Sequence, residues 1–174
     1  MMMMKPYLYR MPVGIAGAIS RYRDLTTEPV LLKSKDGFPA YGLAGKYDGD
    51  YFVPLAENDT ADVIKGIYIR PYPTTQTQDF IRQVGTEKNF TGDALKRGYV
   101  VVNVGVDSQQ VKKGAKVYVR VAGATDKSPL GAILIAEEKT GSGASEKINT
   151  VILANAEFTG HGDADGNVEI SYKI

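Results

Sequence analysis

The chain has 174 residues, 43% of them hydrophobic, and its 21 basic and 20 acidic side chains leave a net charge of +1. That length suits one domain with a sizeable core, and the charge balance argues against a general nucleic-acid binder, which needs a basic excess to displace counterions, while leaving room for a local basic patch. Without cysteine there are no disulfides, thiolate metal sites or cysteine nucleophiles, and no apolar run approaches the roughly 18 residues of a membrane helix.

In chain order, residues 1–28 read as an extended N-terminal arm. Pro6, Pro12, Gly14 and Gly17 interrupt it too often for a helix or a long strand. Tyr7, Leu8, Tyr9, Met11, Val13 and Ile15 are nevertheless apolar enough to seek burial, along the chain's own domain or a neighbouring subunit. The apolar patch from Met11 to Ile19 is too weak and glycine-broken for a signal peptide.

Residues 29–174 read as a single β domain. Strands are expected at 29–34, 39–46, 51–55, 62–70, 98–105, 115–122, 131–136, 148–158 and 167–174, rich in valine, isoleucine and tyrosine. Asp36-Gly37, Asp48-Gly49 and Lys113-Gly114 mark turns between them. Short strands at this cadence, without helical periodicity, predict an all-β fold: an antiparallel sandwich or barrel of jelly-roll-like type. Residues 71–97 and 138–147 read as loops, with at most a short helical turn within 76–96. The closing strand is the clearest. Val168, Ile170, Tyr172 and Ile174 alternate with Glu169, Ser171 and Lys173, and Asp165-Gly166 predicts a tight hairpin turn before it.

No catalytic set assembles. Asp163, Asp165, Asn167 and Glu169 are spaced like the opening of a calcium loop, but glycine falls fourth and no terminal glutamate follows. A turn is the better reading, and no metal is expected. His161, the single histidine, sits between Gly160 and Gly162 as an ordinary loop residue. No nucleophile elbow, P-loop or dinucleotide fingerprint is present, so neither enzymatic activity nor a cofactor is expected.

Two stretches suit contact with a protein surface, where arginine and tyrosine are favoured anchors. One is the arm, with Tyr9, Arg10, Pro12, Ile15, Arg21 and Tyr22, and with Arg23 beside them. The other is Arg70-Pro71-Tyr72-Pro73, whose prolines hold Tyr72 extended, so Arg70 and Tyr72 form a candidate contact ledge.

Three stretches together resemble the capsid cement, or decoration, proteins of tailed bacteriophages: PVGIAGAISRYRDLTTEPVLL; VIKGIYIRPYPTTQTQD with GDALKRGYVVVNV; and AKVYVRVAG through NAEFTGHGDADGNVEISYKI. Their order and spacing carry the resemblance. It implies a non-enzymatic virion protein on the outer capsid surface that clamps adjacent major capsid protein subunits and stabilises the expanded head. It further implies a dimer or trimer at a symmetry axis, with neither nucleic acid nor membrane as a partner. The eight arm and ledge residues would then be its capsid or intersubunit contacts. The competing reading is a virion-associated module that binds carbohydrate or a host surface.

Overall fold

The computed structural model describes residues 13–33, 37–71, 90–142 and 145–174. Eleven strands make up almost all of its regular structure: β1 (Ile19–Leu32), β2 (Ala44–Asp48), β3 (Tyr51–Pro54), β4 (Gly66–Ile69), β5 (Phe90–Asn103), β6 (Lys116–Arg120), β7 (Ile133–Leu134), β8 (Lys139–Thr140), β9 (Lys147–Ile148), β10 (Thr150–Phe158) and β11 (Asn167–Tyr172). The fold is all-β. Nine strands form one sheet in the order β1-β3-β2-β4-β5-β11-β10-β6-β7, while β8 and β9 make a separate ribbon.

The sheet closes on itself. β1 pairs with β5 as well as β3, so β1, β3, β2, β4 and β5 form a ring. All pairings are antiparallel except β1 with β3, which meet in parallel at Leu31 and Tyr51. At the other end, the turn before β7 returns to β2, where the Ala44 amide donates to the Gly131 carbonyl at 2.8 Å.

These two closures enclose two cores. The smaller holds Val30, Leu32, Phe38, Tyr41, Phe52, Tyr68 and Ala94. Its rings stack in series: Tyr41 on Tyr68 at 4.9 Å, Tyr68 on Phe38 at 4.6 Å, and Phe38 on Phe52 at 5.2 Å between centroids. The larger gathers Ile67, Ile69, Leu95, Val100, Val102, Val117, Val119, Phe158, Val168, Ile170 and Tyr172. Side chains of a strand alternate between faces, so Tyr68 enters one core while Ile67 and Ile69 enter the other. Ala94 and Leu95 divide in the same way. β4 and the first half of β5 are therefore a wall between the cores, and β4 is buried at every position. A strand covered on both faces reads as a continuous apolar run, which is how GIYI stands in the sequence.

Several expectations are corrected. Residues 90–97, read as loop, are the first half of β5, and Ile19–Glu28 of the expected arm lies in β1, paired along β5. The strand expected from residue 39 begins at Ala44. Ile174 leaves the core face and is half exposed, because Lys173 turns to a positive φ of 55° and its amide binds the Asn155 carbonyl. In the last hairpin Gly166 alone takes a positive φ, 87°, after a turn in which its amide reaches back to the Asp163 carbonyl. That is a type I turn closed by a glycine bulge, not a two-residue turn.

Candidate functional site

The chain enters the domain along the edge of β5, in line with β1. The Gly17 amide donates to the Val101 carbonyl at 2.7 Å, and the Val101 amide donates to the Ala18 carbonyl at 2.9 Å. From the far side the Arg70 amide donates to the Gly17 carbonyl at 2.9 Å, and its Nε donates to the Ala16 carbonyl at 2.8 Å. The Arg70 guanidinium also lies 4.5 Å from the centroid of the Tyr41 ring. Arg70 is thus only 8% exposed. Expected on an outer ledge, it instead fastens the chain at residues 16 and 17 from within. Its partner in that ledge, Tyr72, lies outside the described residues, as do Tyr9, Arg10 and Pro12.

Arg21 is a second fastening. Its Nη2 donates to Glu169 Oε1 at 2.5 Å and its Nε to Oε2 at 3.2 Å, a two-pronged pair. The guanidinium rests 4.4 Å from the Tyr99 ring centroid. Thr159 Oγ1 donates to the same Glu169 carboxylate at 2.6 Å. Burial alone would push the Glu169 carboxyl up. The hydrogen bonds from Arg21 and Thr159, with the charge of Arg21, outweigh it and hold the group below its ordinary value. One carboxylate therefore joins β1, β11 and the end of β10, although Glu169 and Arg21 are 148 residues apart in sequence.

Arg21 also begins a row across the sheet. It stands opposite Tyr99, Tyr99 opposite Ser171, Ser171 opposite Glu157, and Glu157 opposite Lys116. An open groove of about 530 Å³ runs along this row, lined by Arg21, Tyr99, Asn155 and Glu157, with the half-exposed Ile152 and Ile174 beside them. Its far bank is an irregularity in β10. Between Ile152 and Glu157 that strand takes five steps while β6 takes two, and Asn155 adopts a positive φ of 56°.

β1 carries a matching irregularity. From Arg21 to Thr26 it takes five steps while β5 moves only from Tyr99 to Arg97. Residues 22–25 are extruded, with Asp24 at a positive φ of 62°. Leu25 turns inward against the larger core. Tyr22 turns outward and is 66% exposed, and Arg23 is exposed beside it. Ile15 is exposed too. Of the candidate contacts within the described residues, then, Ile15 and Tyr22 face outward, while Arg21 and Arg70 are engaged in the domain's own structure. The sequence contained no local signal for Glu169, which makes the difference at Arg21.

The acidic hairpin is a turn in detail. Asp163 Oδ1 accepts from the Asp165 amide at 3.0 Å and from the Asn167 amide at 2.9 Å, so its carboxylate caps the loop's backbone. No group of three or more potential metal-ligating side chains gathers among the described residues. His161 is exposed in the same loop.

No curated protein sequence matches the chain. A solved structure of the capsid of Myoviridae phage XM1 contains a chain of the same fold, with a TM-score of 0.61 at 17% identity over 98% of this chain and 97% of that one. The sequence profile of the XM1 gp53 minor capsid protein family matches residues 4–172. That match spans both cores, both fastenings and the extruded segment, and the chain belongs to the XM1 gp53 minor capsid protein family.

Proposed function

We propose that this phage structural protein is a clamp: it binds the outer face of the assembled capsid, bridges adjacent major capsid protein subunits and stabilises the expanded head. Membership of a minor capsid protein family makes it a component of the virion. The clamp is the finer reading. The observation that best supports it is the way the chain enters the domain. Residues 16–18 and 21 are tied down by Arg70, Val101 and Glu169, so a pull on the preceding residues is borne by the sheet. We assign those preceding residues, with Tyr9, Arg10 and Pro12, to an arm that reaches a neighbouring subunit, and Tyr72 to the same contact surface.

A shell loaded from inside fails at its seams, and a clip across a seam adds buried area there. Hundreds of individually modest clips then act together. Self-association at a symmetry axis belongs to the same proposal, because an axis presents each clip with identical copies of itself. Neither catalysis nor a cofactor enters such a role. Co-sedimentation with capsids lacking the protein, before and after expansion, tests it. Saturable binding at a symmetry-axis stoichiometry is expected with expanded shells. Binding to neither form, together with binding of the free domain to glycans, would replace the clamp with a host-surface module.

A further inference from the structure

We propose that the extruded segment of β1, residues Tyr22 to Leu25, is the anchor by which the folded domain grips its capsid partner, and that Arg23 pairs there with a carboxylate of that partner. The inference rests on the clamp reading and names the surface and the chemistry it recognises.

The extrusion serves the domain's own packing at one residue, Leu25, which is partly buried against the larger core. Three residues beyond the β5 register are looped out, and a non-glycine residue, Asp24, is held at a φ of 62°. Such a conformation costs on the order of 1 kcal/mol or more. Bulges of this kind re-aim side chains. Here the inward gain is one partly buried leucine, Leu25, while the outward product is a tyrosine and an arginine side by side. Those two residue types dominate the energetics of protein interfaces: a tyrosine fills a pocket at low entropic cost, and an arginine forms a forked pair with a carboxylate.

The charges around the segment favour an acidic partner. Asp24 is met by Arg97 at 3.7 Å, Glu28 by Lys96 at 3.0 Å, and Glu169 by Arg21. Arg23 has no ion-pair partner among the described residues. The local acids are therefore neutralised, and one exposed cation is left over next to Tyr22. The matching surface carries a carboxylate on the rim of an apolar pocket.

The test uses the full chain, with shell binding measured by co-sedimentation and folding by circular dichroism and thermal melting. Tyr22→Ala and Arg23→Glu are expected to keep the wild-type melt within about 2 °C, since both side chains are exposed. Each should weaken binding at least tenfold. Arg23→Lys should retain part of the affinity, and raising the salt should weaken wild-type binding more than that of Arg23→Ala. Equal binding by wild type, Tyr22→Ala and Arg23→Glu would overturn the anchor and leave the clamp standing. Failure of the wild-type protein to bind would overturn both.

Discussion

Replacing Glu169 with glutamine removes the negative charge at the junction of β1, β11 and the β10 turn while keeping the shape. Three donor bonds converge on that carboxylate, two from Arg21 and one from Thr159. Glutamine keeps an oxygen for Thr159 but turns an amide NH₂ toward a guanidinium that has no acceptor to offer. A charged hydrogen bond inside a protein contributes about 1.5–3 kcal/mol. Glu169 is only 12% exposed, but the Arg21 side chain is 54% exposed, so water screens the pair heavily. A loss of about 1–2 kcal/mol follows at neutral pH, or roughly 2–8 °C in Tm for a chain of this size.

Acid supplies the control. The folded-state carboxyl is held below the unfolded value of 4.5, so its stabilisation is complete above that value and is lost as pH falls through the folded one. The gap in Tm between wild type and Glu169→Gln should therefore narrow on acidification below about pH 4.5. Thermal melts of both proteins from pH 7 to pH 3 read this directly. A Tm difference under about 1 °C at pH 7, or a gap that widens in acid, would refute the reasoning.

Other outcomes follow from the same structure. Tyr68→Ala removes one of the two inner rings of the stack in the smaller core, with a loss of about 3–5 kcal/mol in a denaturant melt. Gly17→Ala must place a Cβ 2.4 Å from that of Tyr41 at a φ of +81°; it should cost about 1–3 kcal/mol and expose the Gly17 and Ala18 amides to faster hydrogen exchange. Deleting residues 1–12 should leave the melt of the domain within a few degrees while abolishing co-sedimentation with expanded capsids. Full occupancy by that truncated chain would remove the arm from the proposal.

What the sequence shows depends on whether one face of a strand is buried and the other is not. β11, with Val168, Ile170 and Tyr172 inward, alternates cleanly and is legible. β1 between Arg21 and Glu28 buries only part of Leu25, so RYRDLTTE carries no period and reads as part of an arm. The first half of β5 hides for the opposite reason. Ala94 and Leu95 are buried on opposite faces between charged Asp93 and Lys96, so no alternation appears, and Gly92 and Gly98 add false turn signals. The candidate contacts show a further limit. Arg21 and Arg23 are equivalent in the sequence, and so are Arg70 and any exposed arginine. Their roles are set by Glu169, Tyr41 and the Ala16 carbonyl, which only the folded sheet brings near.

The wall of β4 and β5 has a consequence for how the molecule can be divided. Two cores in one chain ordinarily invite a cut between them, giving halves that fold, evolve or are exchanged separately. Here the same few residues, Ile67 to Ile69 with Ala94 and Leu95, supply a side to each core. A fragment carrying either core alone would hold that strand pair with one apolar face bare to water, and two fragments would compete for it. Both cores are thus expected to unfold together in one transition, with no half-folded fragment between them.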